Sequence, residues 1–495
     1  ITDNHIIQTI DKTLLDEDEF KQLFGLDLIK TMPLDPWKNT LVELFNNGSI
    51  NVKKEVLEIA AIKPTIIPDE LIIEAATNSE KIKSDAINVA GRRKLVEVSD
   101  ELYQNLSSSN LQIKSASACS LLKMKLHTNK SKDVLQKLLN SKDEKNITAA
   151  LEFLDEPMGI MNDDKLINFL NHNSHKVREE SLRIASKRKN PELLNHIIGN
   201  LAHPKSAMQA RLALGGFEEE LVLHKLDKIL FVEDSEFPIR MGIIRCLKQY
   251  KIENSLNILQ KGLDETYLII LREVTNSLIS VARGYPVSED FIHKIEISLE
   301  NIAQKVYQLV LFLDSLPDDE NCFLIRDHIN SDIKKLIRII LKLGIMHNPN
   351  TPIETYIQYV ANQDPELMPY VLELVDSTFS SGNRKLTMPL IDADISEVQS
   401  GKDLFMNLLV DFDDLILFWI HGEHKWKTAI ALNYIIKSNR QDLLKKVDWG
   451  KIQNTIFIDQ LFNQIEDHSG KIKEIIPLKM FNFKKENNMY SILEK

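Results

Sequence analysis

Eight apolar residues at nearly one spacing constrain this chain more than any other feature. Leu44, Ala75, Leu106, Leu139, Leu170, Leu201, Leu230 and Leu263 each close an apolar helix end before a short polar turn and a new amphipathic segment. Successive spacings are 31, 31, 33, 31, 31, 29 and 33 residues. Self-similarity at such a period marks a repeat architecture. Positions inside the units correspond as well. Seven residues after four of the anchors lie Ile82, Ile113, Val177 and Met208, and one residue later, after two others, lie Val52 and Ile147. Ala86, Ile87, Val89 and Ala90 in one unit match Ala150, Leu151, Phe153 and Leu154 in another. That is helical spacing with one apolar face, and no period-2 alternation calls for a sheet.

Two short helices with one apolar stripe each cannot bury that stripe alone, so neighbouring units must stack. Within Ser174-His-Lys-Val177-Arg178-Glu-Glu-Ser-Leu182, the Val-Arg step resembles the first helix of a HEAT repeat. The expected fold is therefore all-α: an α-solenoid, or superhelix, of HEAT-like two-helix repeats. Start signals support the helix boundaries. Thr77-Asn-Ser-Glu80 and Ser141-Lys-Asp-Glu144 read as capping boxes, in which hydroxyl and carboxylate satisfy orphan amides. Asn190-Pro191, Asp364-Pro365 and Thr351-Pro352 place a capping side chain before a proline, whose missing donor costs nothing at the first helical position.

Composition narrows the function classes. A chain of 495 residues with 43% hydrophobic and 27% charged residues is ordinary for a folded protein, and only 16 Gly and 16 Pro favour long helices over turn-rich β structure. A net charge of −11 argues against general nucleic-acid binding, which leaves a basic footprint. Cys119, Cys246 and Cys322 are far apart without CxxC spacing, as free thiols in a reducing compartment would be. The most apolar run, Leu404 to Ile420, is broken by Asp411, Asp413 and Asp414, so no membrane span is expected. The chain begins with Ile rather than Met, as a piece of a longer polypeptide would.

The period divides the chain into an N-terminal helical cap (1–43), regular repeats (44–285), divergent helical repeats (286–480) and a linker that opens a following domain (481–495). In the divergent part, amphipathic stretches run over Ser288–Leu316, Ser331–Leu343, Pro352–Ala361 and Asp364–Phe379. Polar breaks follow at Ser380–Asn383 and Ser400–Lys402. Trp426-Lys-Thr-Ala-Ile-Ala-Leu-Asn-Tyr434 then reads as one more first helix.

Motifs for chemistry are missing. Neither GxxxxGK[ST], GxGxxG nor HExxH occurs. His421-Gly-Glu-His424 spaces two imidazoles three apart around Glu423, but a solvated turn explains it better than a metal, and the same holds for His172 and His175. No catalytic residue, cofactor or metal is expected. Superposed repeats do align one surface feature. Arg92, Arg93 and Lys94 fall at the same offsets as Lys187, Arg188 and Lys189, and Lys123 and Lys125 occupy the first and last of them. These eight residues are expected on the turn between the two helices of their units, along one edge that attracts phosphates. The basic edge ends at Glu218-Glu219-Glu220. The competing explanation is the general preference of cations for helix C-termini.

One resemblance reaches further. Asp364-Pro-Glu-Leu-Met-Pro-Tyr-Val-Leu-Glu-Leu-Val-Asp376, then Arg384-Lys-Leu-Thr-Met-Pro-Leu-Ile-Asp392, then Trp426–Tyr434, resemble in order the soluble region of bacterial ADP/ATP carrier-type transporters of the major facilitator class. Met489-Tyr-Ser-Ile-Leu-Glu-Lys495 is similar to the entry into the cyclic-nucleotide-binding domain that often follows. The resemblance implies a membrane carrier before residue 1 and a nucleotide sensor after residue 495, with those domains as partners. It implies a cytoplasmic location, at the inner face of the membrane. The expected function is a non-catalytic scaffold that binds a protein partner along its concave face. Two alternatives are a nucleic-acid-binding protein resembling the HEAT-fold DNA glycosylases and a stand-alone protein–protein adaptor. Nucleic acid as a partner is disfavoured by the acidic charge.

Overall fold

The computed structural model describes residues 4–452, 458 and 461, with short breaks at 64, 156–158, 232–235, 266, 363–365, 393, 406–407, 409–410 and 423. Among the described residues every regular element is helical. The chain forms two compact units, Ile1–Cys246 and Leu247–Lys495. The division falls inside a helix, ahead of the change of period near Gly284 and one anchor before the last of the eight.

The first unit is a succession of helix pairs: α1 (Asn4–Leu14) with α2 (Glu19–Ile29), α3 (Lys38–Asn47) with α4 (Ile50–Ile62), α5 (Asp69–Asn78) with α6 (Lys83–Arg93), and α7 (Ser99–Asn105) with α8 (Leu111–Lys123). Then come α9 (Thr128–Leu139) with α10 (Glu144–Glu152), α11 (Asp163–Leu170) with α12 (His175–Arg188), and α13 (Leu194–Gly199) with α14 (Ala207–Leu214). Helices α15 (Glu219–Leu230) and α16 (Phe237–Leu247) follow in the same order. The first seven anchors sit at the ends of first helices or just past them, and all are buried. The eight matched residues of α6 and of the α10 end, Ala86 to Ala90 and Ala150 to Leu154, are buried too. Met208 departs from its series and is exposed on the short α14.

Second helices make one continuous layer from α2 to α14, whereas contacts between successive first helices are sparse. The second-helix layer packs more closely than the first. Small side chains permit this closeness. In α8, Ser115, Ala116, Ser117, Ala118, Cys119 and Ser120 are all buried, and Ser120 Oγ donates to the Ile87 carbonyl of α6 at 2.8 Å. A Cβ on Gly91 would lie 2.7 Å from the Ser120 Cα, so the α6–α8 contact requires glycine there.

The helices also share one stop. Lys94, Lys125 and Lys189, equivalent in the repeat, all adopt left-handed backbone after α6, α8 and α12. In the first two, the next amide reaches back to a carbonyl five residues earlier (Leu95 to Ala90, Leu126 to Leu121), which satisfies helix-end carbonyls. Start signals fared unevenly. Asn190 caps the turn at Pro191 as read, by accepting from the Glu192 amide. Thr77 instead donates back to the Ile73 carbonyl inside α5, and α6 starts without a side-chain cap. Asp143, not Ser141, caps α10, because its carboxylate sits one residue before the helix. Asp364-Pro365 lies outside the described residues.

The second unit is built differently. It opens with α17 (Glu253–Lys261), which leads into a short 3₁₀ turn holding the last anchor, the buried Leu263, and packs on α18 (Leu268–Ala282). At its centre, α19 (Glu289–Asp314) and α20 (Phe323–Gly344) pack along each other. Around them lie α21 (Ile353–Asn362), α22 (Met368–Thr378), α23 (Ser381–Thr387), α24 (Glu397–Leu404), α25 (Phe412–His421), α26 (Lys425–Lys437) and α27 (Gln441–Leu444). The polar segment at Ser380 does not break the chain but begins α23, with Ser380 as the cap accepting from the Asn383 amide. Ser400-Gly-Lys402 lies within α24, where the small Gly401 lets that helix seat against the Tyr307 ring of α19. The segment at Trp426 belongs to α26, which packs on the preceding α25 and is thus the second helix of its pair. Val177-Arg178 likewise opens a second helix, α12. The expected linker at 481–495 lies outside the described residues.

Candidate binding site

The eight basic residues lie at the C-terminal ends of second helices, on the turn leading out of each pair rather than the turn within it. The reason is geometric: the anchor ends the first helix, so offsets of 17 to 19 run past the whole second helix. Three of the residues converge on one carboxylate, Asp155, just beyond α10. Lys187 Nζ stands 2.7 Å from it, Lys123 Nζ 2.9 Å and Arg92 Nη2 3.0 Å, with Arg183 Nη1 at 3.8 Å. Burial alone would raise the Asp155 pKa, but Lys123, Lys187 and Arg92 more than offset it and hold this carboxyl well below its ordinary value. Arg183 also donates to the Leu151, Glu152 and Leu154 carbonyls at the end of α10.

Arg93 and Arg188 form a clasp inside their own pairs. Arg93 reaches Asp69 at the start of α5 (2.8 Å) and the Ile67 carbonyl. Arg188 pairs with Asp163 at the start of α11 and donates to the Met161 carbonyl. The second unit repeats the device: after a left-handed Asn439, Arg440 pairs with Asp413 in the first turn of α25 at 2.6 Å. Of the eight basic side chains, those of Lys94, Lys125 and Lys189, all exposed, have no partner among the described residues. Acidic groups lie close by. Glu152, partly withdrawn from water and facing Glu180 and Asp85, has its carboxyl pushed up to about 7.

The histidine pairs serve turns. His172 Nδ1 accepts from the Ser174 amide, and His421 Nε2 accepts from the Asp448 amide at 2.8 Å. His424 stacks against Tyr267 with ring centroids 4.7 Å apart. Among the described residues no three His, Cys, Asp or Glu side chains are grouped to hold a metal. All three cysteines are buried, and burial pushes the Cys119 thiol up to about 12.

Two cavities that the repeat pattern did not reveal lie in the second unit: a polar one of about 820 Å³ between the start of α19 and the turn after α20, and an apolar one among α18, α19, α20 and the α25–α26 pair. The apolar one has a volume of about 510 Å³. Phe312, Leu336, Leu415 and Trp419 form its floor, and Phe418, 72% exposed, stands at its lip. One carboxylate is set into this apolar wall. Asp332, whose side chain is 5% exposed, lies 3.1 Å from Lys427 Nζ and 3.5 Å from Lys335 Nζ. His328 Nε2 is 3.4 Å from it, too poorly aligned for a hydrogen bond, and its ring meets Trp419 edge-on at 5.4 Å. Burial pulls the His328 pKa down, which favours the neutral imidazole. Lys427 Nζ lies 5.5 Å from the Trp419 ring centre, where the ring's negative face attracts it. Lys305, on the rim, has no partner among the described residues.

No protein-family profile matches this sequence, and no curated protein sequence matches it. Solved structures of helical proteins do. Human deoxyhypusine hydroxylase in complex with glycerol aligns over 56% of this chain and 96% of its own, at 12% identity and a TM-score of 0.27. Kap121p aligns over 95% of this chain at 12% identity and a TM-score of 0.29, and importin beta over 92% at 11% and 0.25. The chain spans 62% of the Kap121p structure and 66% of the importin beta structure. These TM-scores are low, and the fold rests on the helix order and packing described above. No helix among the described residues is long and apolar enough to cross a membrane.

Proposed function

We propose that this chain is a non-catalytic interaction module that holds polypeptide partners on stacked helix pairs. One observation carries the reading: an open apolar cavity with an exposed Phe418 at its lip, built on rigid helices in the second unit. Apolar side chains grouped around such a hollow, with charged groups at the rim, are the makings of an interaction hot spot. Stacked helix pairs supply extended surface.

A photoreactive residue replacing Phe418 in the full chain tests this in the source cells. The expected product is a discrete cross-link to another polypeptide, lost when Leu309→Glu places a charge in the hollow. Cross-links that persist in that variant, or none at all, would remove the reading. The same preparation decides a second reading, favoured by the three unpaired lysines on one edge. If that edge binds anionic headgroups, Lys94→Ala, Lys125→Ala and Lys189→Ala together should abolish salt-sensitive binding to anionic vesicles. Unchanged binding, or none in the parent, would overturn it.

A finer assignment, the cytosolic region of an ADP/ATP carrier-type protein, is supported by the ordered similarity at Asp364–Asp376, Arg384–Asp392 and Trp426–Tyr434. Among the described residues, Met368–Asp376 falls on α22, Arg384–Asp392 on α23 with the turn after it, and Trp426–Tyr434 on α26. A run of about twelve apolar spans, each near 20 residues, encoded upstream would support the assignment. An in-frame stop on both sides would remove it.

A further inference from the structure

We infer that His328 is an acid-sensing latch: on protonation it takes Asp332 from Lys427, exchanging an ion pair between helices for one within α20. The first turns of α26 are thereby released from α20. The inference goes beyond the interaction reading and does not depend on it.

The carboxylate comes first. Asp332 is enclosed at an apolar position of α20, and a charge so placed needs cations beside it. Three side chains compete for it. Lys427 Nζ, from α26, stands 3.1 Å from Oδ2. His328 Nε2, one turn away on α20, stands 3.4 Å from the same oxygen. Lys335 Nζ, half-exposed on that helix, is 3.5 Å from Oδ1. Of the three, Lys427 alone ties α20 to another helix. The far end of α26 is held separately, where Ser438 Oγ donates at 3.1 Å to Asp319, just before α20.

His328 is placed for the exchange. Its Nε2 is buried and makes no hydrogen bond among the described residues, although the carboxylate is within reach. Protonation turns Nε2 into a charged donor, and a small rotation of the ring completes the bond to Asp332. The titratable groups that act on this ring are Asp332 and Lys335 on α20, Lys427 on α26, and His424 on the turn before α26. Burial pulls its pKa down most; Asp332 opposes this, while Lys427, Lys335 and His424 reinforce it. Once the ring is charged, three cations share one enclosed carboxylate. Lys427 is the one that gives way, because its flexible stem carries the ammonium to water while Nε2 stays enclosed. The stability that neutral His328 contributes is complete above the unfolded value of about 6.5. It is lost as pH falls through the lower folded value.

Histidine NMR and hydrogen exchange of the full chain between pH 8 and pH 5 test the inference. The His328 resonance, assigned by its loss in His328→Gln, should titrate within that interval. In step with it, amides in the first two turns of α26 should open at least about tenfold more often, while those near Ser438 stay protected. His328→Gln should abolish the step. Lys427→Met should open the same turns by about tenfold already at pH 8 and leave little further change toward pH 5. An imidazole that stays neutral to pH 5 in the folded chain overturns the inference. A step of undiminished size in His328→Gln, or full protection at pH 8 in Lys427→Met, overturns it too. Should His328→Gln fail to fold, the parent chain decides: coincident midpoints for ring and amides support the latch, and midpoints about one pH unit or more apart remove it.

Discussion

The two units solve the same packing problem with helices of different length. In the first, pairs of about equal size repeat one arrangement, and each second helix lies against the second helix of the next pair. In the second, α19 runs for 26 residues and α20 for 22, while the neighbouring α24 and α25 have 8 and 10. At about 1.5 Å per residue, such long helices extend well past their shorter neighbours. In the regular pairs, the turns that lead out of α6, α8 and α12 carry charge. Unequal lengths leave part of the α19–α20 surface covered from one end only, and the hollow opens there. The comparison teaches that regularity and a binding cavity are competing uses of one construction.

The largest difference between the units is expected at the glycine-mediated contact of α6 with α8. Gly91→Val forces α6 from α8, because the added atoms meet not only the Ser120 Oγ, which can rotate away, but also its Cβ and backbone Cα at 2.5 and 2.7 Å, which cannot. The expected cost is roughly 3 kcal/mol, read as a lowered urea midpoint. Hydrogen exchange should show the loss in α6 and α8 and leave α19 and α20 protected. Equal loss in both units would mean that they do not differ in this way.

A smaller effect is expected at the charged edge. Asp155→Ala leaves Arg92, Lys123, Arg183 and Lys187 facing one another without their shared carboxylate. A loss of about 2 kcal/mol is expected at pH 7. Since the folded pKa of Asp155 is depressed, the group's contribution is present above the unfolded carboxylate value and disappears as pH falls through the folded one. The deficit of the variant should therefore shrink toward low pH. A constant deficit would assign the effect to packing.

The smallest effect has the opposite sign. The Glu152 pKa is raised, so its contribution is complete below the unfolded value of about 4.3 and is lost by the folded value of about 7. Glu152→Gln should match the parent chain near pH 4 and exceed it at pH 8. The gain is about 1 kcal/mol at most, because the side chain stays partly in water. Paired urea titrations at the two pH values measure it.

Much of the first unit was legible because burial there follows the period. Anchors from Leu44 to Leu230 could be read as buried helix ends since each repeats the environment of the one before. The basic residues were legible in position but not in partnership. Asp155 belongs to the unit without a basic triplet, and nothing in the alignment of repeats pairs a carboxylate with arginines and lysines from three other units. The capping boxes failed for a local reason: several polar residues crowd those turns, and only the folded backbone selects Asp143 over Ser141. The hollow was not legible as a site, because its wall comes from four places in the chain. One signal was available. Asp332 occupies the apolar register of α20, between Ile329 and Leu336, where an acidic residue is out of place unless something meets it.

Asp155 also sets how finely the first unit can come apart. In a stack where each pair touches only its neighbours, pairs can fray one at a time from either end. Here one carboxylate gathers Arg92 from α6, Lys123 from α8, and Arg183 and Lys187 from α12, so the tie to Arg92 skips over an intervening pair. Releasing any of these pairs strips partners from the rest. The stretch from α5 to α12 is thereby bound into one cooperative block, with a melting grain several repeats wide.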